Sequence, residues 1–176
     1  WRTLLRMHAR ALGASRPTRR YPSRRAPERL GEVAGRRRSR EPGSVLLAID
    51  TSGSLTDDDL ATIAAEAQAL TAQNVPVACV QCDTRIRDER WLARGERLPE
   101  LRGRGGTDLR PPFAAEVRER YRPRFIVYFT DGGGPAPAAP PPGCAVLWVL
   151  TGSSPTPPAR WGRTVRLLPK RGVATR

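Results

Sequence analysis

The sequence predicts an α/β fold with a doubly wound, mostly parallel central sheet and helices on both of its faces. Short apolar runs over 45–49, 75–82 and 125–129 are bounded by turn residues, which is typical of strands buried on both faces. Segments with apolar residues at helical spacing lie between these runs, and strands that alternate with helices favour parallel pairing. The sequence shows no internal repeat.

The first half of the fold is predicted to contain two buried strands with a helix between them. The helix is expected over 56–73, because Thr56 and Asp59 form a capping pattern and apolar residues then recur at helical spacing. Residues 75–82 form the second strand. Residues 84–92 alternate only in part and carry many charges, so they are expected to form an edge strand or a hairpin.

The second half is predicted to begin with a helix and to continue with three strands. Pro111 and Pro112 suit the first turn of a helix, where a missing N–H group needs no partner. The buried face of this helix is predicted to consist of Phe113, Val117 and Tyr121. The strands that follow are predicted over 124–130, 144–150 and 164–168.

Cys79 and Cys82 are predicted to be buried thiols within a strand. Cys79 and Cys82 form a C-x-x-C pattern, but residues three apart on a strand face opposite sides. No second cysteine pair or histidine pair completes a zinc site, and the pattern does not open a helix as a redox motif does. The odd total of three, which includes Cys144, also argues against a disulfide framework.

The N-terminal region is strongly basic. Residues 1–42 contain thirteen arginines and three glutamates, and the whole chain has a net charge of +14. A helix is expected over 1–13, followed by an Arg- and Pro-rich linker over 14–43. Such a segment can bind nucleic acid, but a GC-rich coding sequence would enrich arginine equally well. The predicted division is an extension over 1–43, a domain over 44–168 and a tail over 169–176.

The sequence contains neither a predicted membrane span nor a predicted signal peptide. No stretch approaches the roughly 20 apolar residues that a transmembrane helix needs. Arginines interrupt each apolar run near the N-terminus, so a cytoplasmic location is expected. Because the sequence begins at Trp1 rather than at methionine, we expect it to be a piece of a longer product.

Residues with oxygen-bearing side chains gather where predicted strands and loops reach one edge of the sheet. Asp50, Ser52 and Ser54 follow the first strand, Thr107 ends a Gly-rich loop, and Asp131 follows a later strand. An acid at the carboxyl end of a parallel strand points into the crevice where open α/β sheets bind ligands. All five side chains offer hard oxygen ligands, which favour Mg²⁺, Mn²⁺ or Ca²⁺ over zinc or copper.

These residues resemble those of a known family, the von Willebrand factor A (VWA) domain with its metal-ion-dependent adhesion site. The matching segments are Asp-Thr-Ser-Gly-Ser at 50–54, Gly-Gly-Thr at 105–107 and Thr-Asp-Gly at 130–132. A bacterial VWA-like domain of otherwise unknown function, which usually lies at the C-terminal end of metallopeptidase-like chains, is more similar still. That resemblance covers about 44–168 and also rests on Arg-Arg-Tyr at 19–21, Gly-Thr-Asp at 106–108 and Leu-Trp-Val-Leu-Thr-Gly at 147–152.

The resemblance implies a Rossmann-like VWA fold and a role for each site residue. Ser52 and Ser54 would bind Mg²⁺ (or Mn²⁺ or Ca²⁺) directly, as would Thr107 in some states, and Asp50 and Asp131 would act directly or through water. An acidic residue of a partner protein would fill the open position. The implied function is metal-dependent protein binding, with no enzyme activity in this chain.

Two other functions remain open at this point. The chain can be a regulatory or accessory domain of a metallopeptidase or another hydrolase, with a hydrolase or an ATPase as its partner. It can also bind nucleic acid through the Arg-rich N-terminal segment. No His-Glu-x-x-His motif is present, and the single histidine is His8, so peptidase activity cannot be transferred to this chain.

Other interpretations of the same residues fit less well. An EF-hand loop would need Gly and Glu where the chain has Leu55 and Ala61. An aspartic protease would need the triplet Asp-Thr-Gly, but Ser52 stands where its glycine would be. A phosphatase that uses Asp50 as nucleophile would need a second acid at the same position. A serine hydrolase would need a base, and His8 lies in the basic segment. Taken singly, each of the five site residues is also an ordinary turn or cap residue.

Overall fold

A computed structural model describes residues 1–13, 15–18, 25–29, 32, 35–38, 43–52, 55–101, 105–151 and 157–167. The helices are α1 (Arg2–Gly13), α2 (Asp57–Ala72) and α3 (Ala115–Tyr121), with a 3₁₀ turn at Pro111–Phe113. The strands are β1 (Ser15–Thr18), β2 (Gly35–Arg38), β3 (Ser44–Asp50), β4 (Val77–Cys82), β5 (Ile86–Leu92), β6 (Pro123–Thr130), β7 (Ala145–Leu150) and β8 (Arg163–Arg166). Ser54, residues 19–21, Gly152, the tail 169–176 and the side chain of His8 lie outside the described part.

Six strands form one sheet in the order β5-β4-β3-β6-β7-β8. β3 pairs in parallel with β4 on one side and with β6 on the other, and β7 and β8 continue the parallel pairing. At one edge, β5 runs antiparallel to β4. The predicted α/β class with a mostly parallel sheet is therefore confirmed, as is the edge strand expected over 84–92.

Helices cover both faces of the sheet, as predicted. Alternate residues of β3 belong to two separate cores, with Leu47 in one and Leu46 in the other. We call these sides the α2 face, which α2 covers through Ile63 and Leu70, and the α3 face, which Val117 of α3 helps to cover. Among the helices that the structure describes, none has the length and apolar character needed to cross a membrane.

The predicted start of α2 is confirmed. Thr56 Oγ1 accepts a hydrogen bond from the Asp59 amide at 3.2 Å, and Asp59 Oδ2 accepts one from the Thr56 amide at 3.2 Å. Each bond satisfies a backbone donor at the helix start. The capping box fixes the point at which the loop after Asp50 enters α2.

The thiols of β4 are buried and free, as predicted. Cys79 lies on the α2 face and Cys82 on the α3 face. Burial is the main cause that raises the pKa of each thiol to about 12. Neither side chain therefore supplies a thiolate near neutral pH.

The prediction of a single helix that begins at Pro111 is wrong in one respect. The 3₁₀ turn ends at Phe113, and α3 begins only at Ala115. Ala114 between them has an extended conformation, with ψ of 152°, which a continuous helix does not allow. Val117 and Tyr121 are buried as expected, whereas Phe113 is half-buried.

The N-terminal region contains more structure than the sequence predicted. The helix expected over 1–13 is present as α1, and its Leu5 is fully buried in the core of the α2 face. Within the predicted linker, β1 and β2 pair as an antiparallel ribbon. No alternation of apolar and polar residues marks these two strands, so the pattern gave no reason to expect them. The domain boundary at residue 44 stays a prediction.

Candidate functional site

The site predicted from the sequence lies where the winding of the sheet reverses. The chain passes from β3 through α2 to β4 on one side, whereas β6 lies on the other side of β3. Open α/β sheets bind ligands at the carboxyl ends of strands at such a switch point. Asp50 is the last residue of β3, and Asp131 follows the last residue of β6 directly.

Asp50 is a buried carboxylate held by neutral donors. It is 1% exposed, and its Oδ2 accepts a hydrogen bond from Thr130 Oγ1 at 2.8 Å. Its Oδ1 accepts another from the Ser52 amide at 3.0 Å. Burial raises the pKa of Asp50 above its ordinary value, the bonds from Ser52 and Thr130 oppose that shift, and the charge of Asp131 adds to it. In the described part of the chain, Asp50 takes part in no ion pair.

Ser52 presents a buried oxygen that has no regular hydrogen-bond partner among the described residues. Its Oγ is inaccessible to solvent, and among the described residues it makes no hydrogen bond of regular geometry. The hydroxyl lies near enough to Asp50 to help lower the pKa of that carboxyl. A buried polar group without a hydrogen bond lowers the stability of the fold by about 1–3 kcal/mol. A ligand that binds the Ser52 oxygen would remove that cost.

Thr130 belongs to the Thr-Asp-Gly segment at 130–132, but the sequence assigned it no role in the site. Besides donating to Asp50, its Oγ1 accepts a hydrogen bond from the Gly132 amide at 3.1 Å. One fully buried hydroxyl therefore connects the end of β3 with the loop that carries Asp131. The available signal was a polar residue at the end of an otherwise apolar strand, but its partner depended on the pairing of β3 with β6.

The loop after β6 packs directly against the loop of Thr107. Asp131 is half-buried, and its Oδ1 accepts a hydrogen bond from the Gly133 amide at 2.9 Å. Gly134 has φ of +124°, and a Cβ there would lie 2.8 Å from the carbonyl oxygen of Thr107. A glycine is therefore required for both the conformation and the close approach. The Leu109 amide donates to the Pro135 carbonyl at 2.9 Å and joins the same two loops.

The loop of Thr107 is held on its other side by the end of β4. The Asp108 amide donates to the backbone carbonyl of Asp83 at 2.9 Å. The Asp108 carboxylate accepts hydrogen bonds from Arg110, the shortest at 2.7 Å, and this partner lowers its pKa. Asp108 is therefore occupied, whereas Thr107 lies half-buried next to Gly134.

Asp83 is a second buried acid at this edge, which the sequence analysis did not single out. Its side chain is inaccessible to solvent, and its Oδ2 accepts a hydrogen bond from Arg87 Nε at 2.7 Å. Burial alone would raise the pKa of Asp83, but the Arg87 side chain and the Arg85 amide bring it below its ordinary value. Unlike Asp50, this acid has a cation of its own.

The described members of the predicted site therefore come from three loops at one edge of the sheet. Asp50 and Ser52 lie at the end of β3, Asp131 is linked to them through Thr130, and Thr107 packs on the loop of Asp131. Within the described residues, no group of three or more His, Cys, Asp or Glu side chains is placed to hold a metal. The donor set consists instead of two carboxylates and hydroxyl oxygens, which fits a hard cation.

This arrangement of sheet, switch point and oxygen-rich loops defines a VWA-like α/β domain. The family model described as VWA-like domain (DUF2201) matches residues 45–168. The match covers more than half of the chain, which therefore belongs to that family. A search of curated proteins found no match. The predicted likeness to a VWA-like domain is confirmed; the metal-ion-dependent adhesion site and the metallopeptidase association stay predictions.

Proposed function

We propose that this domain is a protein-binding module that uses a divalent cation to bind an acidic residue of a partner protein. The cation would be Mg²⁺, with Mn²⁺ or Ca²⁺ as substitutes, and its ligands would be Asp50, Ser52, Ser54, Thr107 and Asp131. The observation that carries the proposal is the buried Ser52 hydroxyl, which makes no regular hydrogen bond with the described residues, beside a buried carboxylate that has no cation among them. Ser54 lies outside the described residues and enters through the sequence pattern and the family motif.

The electrostatics of Asp50 support a cation site. A buried carboxylate without a counter-charge is unfavourable, as the raised pKa of Asp50 reflects. A cation near Asp50 and Ser52 would compensate the charge and satisfy the orphaned hydroxyl together. Thr130 is a positioning residue in this scheme, because its hydrogen bond fixes the carboxylate and leaves the remaining lone pairs for the ion.

The small number of acids supports capture of an outside carboxylate. Two carboxylates balance but do not exceed the charge of a divalent cation, and neutral hydroxyls add none, so an open coordination position would remain for one more carboxylate. Asp108 and Asp83 do not compete for it, because Arg110 and Arg87 already bind them. A partner's aspartate or glutamate matches this site in charge and in ligand type.

The alternatives receive less support from the described residues. Arg2 and Arg6, two arginines of the basic segment, lie 3.5 and 2.8 Å from Glu66 oxygens, so they are engaged within the chain. Nucleic-acid binding therefore depends on the arginines beyond α1, many of which lie outside the described part. An accessory role beside a hydrolase or an ATPase is compatible with the proposal, since the same site could bind that partner.

A pair of peptides tests the proposal. Two glycine-flanked peptides, one with a single Asp and one with Asn in its place, are titrated into the protein and followed by NMR. In Mg²⁺ we expect only the Asp peptide to shift the amide signals of residues 50–52 and 131–133, and EDTA should abolish the shift. Equal binding of both peptides, or binding that survives EDTA, would contradict the proposal.

Two serine variants control this experiment. Ser52→Ala removes the unpartnered hydroxyl and should abolish the Mg²⁺-dependent shift without loss of the fold. Ser44→Ala removes a buried hydroxyl at the opposite end of β3, where it donates to the Tyr121 carbonyl at 2.6 Å. Since Ser44 lies far from the carboxyl edge, this variant should bind the Asp peptide like the wild type.

A further inference from the structure

We propose that α1 is a positioning element for the metal site, so that docking of α1 on the sheet and binding of a cation favour each other. This inference rests on the proposed function for its metal-binding part. α1 precedes the family match at 45–168, and no sequence pattern connects it with the site. Its contacts with the sheet make that connection.

α1 is docked through apolar side chains at its start. Leu5 is 0% exposed and belongs to the core of the α2 face, together with Val127 and Phe129 of β6. Trp1, directly before α1, packs edge-on against the ring of Phe129, with 5.4 Å between ring centroids. The helix therefore covers the end of β6 that leads into the site.

An ion pair holds α1 against α2. Arg6 donates from Nε and from its terminal nitrogen to the two oxygens of Glu66, at 3.1 and 2.8 Å. The Glu66 side chain is only 6% exposed, whereas that of Arg6 is 50% exposed. Undocking α1 would leave Glu66 without this fork-shaped partner, which favours the docked state. Burial of Leu5 and pairing of Glu66 thus act in the same direction.

On the α2 face, β6 is covered by α1. In a doubly wound sheet, a helix usually connects two parallel strands. The connection from β6 to β7, residues 131–144, contains no helix, and it runs on the α3 face, where Ala136 packs against the core. α1 contacts β6 and supplies cover on the opposite, α2 face.

The covered residues lie directly before the site residues. Phe129 pairs with Ile49 across β6 and β3. Each is followed at once by one partner of the buried hydrogen bond, Thr130 and Asp50. Packing of Trp1 against Phe129, with Leu5 buried in the same core, therefore restrains the two strand ends that hold the carboxylate. When α1 is undocked, these strand ends lose that restraint. Because of linkage, a ligand that binds the ordered strand ends more tightly also favours the docked state of α1.

Three substitutions in α1 test the proposal. Leu5→Ala removes the buried contact, Leu5→Met keeps an apolar side chain of similar size, and Met7→Ala changes an exposed residue of the same helix. Mn²⁺ binding is titrated by calorimetry at a temperature where every variant is folded. We expect Leu5→Ala to bind at least about fivefold more weakly, with affinity restored in Leu5→Met and unchanged in Met7→Ala. Equal affinity in Leu5→Ala and Met7→Ala would overturn the proposal.

A second readout needs no metal and separates the two proposals. In EDTA, hydrogen exchange of the Ser52 and Gly132 amides should be faster in Leu5→Ala than in Met7→Ala, while exchange of the β4–β5 amides stays the same. If the wild type binds no divalent cation, the proposed function fails and this exchange comparison alone decides the role of α1. Equal exchange in both variants would overturn that role. Should Leu5→Ala fail to fold, Arg6→Gln weakens the docking of α1 with Leu5 intact and takes its place in both measurements.

Discussion

Two buried aspartates at the ends of neighbouring strands have opposite electrostatic surroundings. Asp83 follows β4 and is bound by Arg87 at 2.7 Å, whereas Asp50 ends β3 and is held by Thr130 and the Ser52 amide. Both side chains are almost inaccessible to solvent, and both lie at the carboxyl edge of one sheet. The two acids are thus both buried, but only Asp83 has a positively charged partner among the described residues.

The difference appears in the direction of the two pKa shifts. Burial raises the pKa of Asp50 and prevails over its hydrogen bonds, whereas at Asp83 the interactions with Arg87 and the Arg85 amide prevail over burial and the pKa is lowered. The chain can therefore supply an arginine to a buried acid at this edge, and does so at Asp83. At Asp50 the described residues supply neutral donors, which is the property that a cation-binding site needs.

The largest expected effect on the metal-free protein is that of Asp83→Asn. Loss of the charged hydrogen bond with Arg87 should lower the free energy of unfolding at pH 7 by about 2 kcal/mol. Because the folded pKa of Asp83 is lowered, its stabilising contribution is present above the unfolded pKa of about 3.9 and is lost as pH falls through the folded pKa. Urea denaturation from pH 7 to pH 3 should therefore show the two proteins converging only below about pH 4.

A nearby exposed pair provides the control for that comparison. Asp108→Asn removes the same charge at the same edge, but Arg110 is 61% exposed, so the loss should stay below about 1 kcal/mol. A loss as large in Asp108→Asn as in Asp83→Asn would show that charge number, rather than the buried pair, determines the stability of this edge.

The smallest effect is expected for Asp50→Asn in EDTA. The amide keeps the size of the side chain, its oxygen can accept from the Ser52 amide, and its NH2 group can donate to Thr130 Oγ1 in place of the bond that Thr130 donates to Asp50. The substitution also removes a buried charge that has no ion pair among the described residues. The free energy of unfolding should therefore change by less than about 1 kcal/mol. Chemical denaturation in metal-free buffer measures this directly. A loss as large as that of Asp83→Asn would break the contrast between the two acids.

The sequence predicted the parts of the site that depend on the position of a residue within its own strand or loop. Asp50 and Asp131 follow apolar runs, and the rule for open parallel sheets places both at one edge. Ser52 and Thr107 were predicted from their oxygen-bearing side chains near this edge, and the family motif implied their roles. The fold was predictable for a similar reason, because buried strands and capped helices leave local patterns such as that of Thr56 and Asp59.

Other features depend on contacts between distant parts of the chain, which no local pattern encodes. The bond from Thr130 to Asp50 requires the register of β6 against β3, and these residues are 80 positions apart. The bond from Arg6 to Glu66 spans 60 positions, and α1 precedes a segment that resembles a linker. The pair of Asp83 and Arg87 is local, but the sequence does not show that the acid is fully buried and that its counter-charge is nearby.

Thermal denaturation with and without Mg²⁺ tests the central claim most directly. The wild type, Asp50→Ala and Asp108→Asn are each melted in EDTA and in Mg²⁺ at increasing concentrations. At 100-fold excess over the dissociation constant, bound cation should stabilise the wild type and Asp108→Asn by about 2.7 kcal/mol and raise their Tm accordingly. Asp50→Ala should show no rise. An equal rise in Asp50→Ala, or none in the wild type at any concentration, would contradict a cation site at the end of β3.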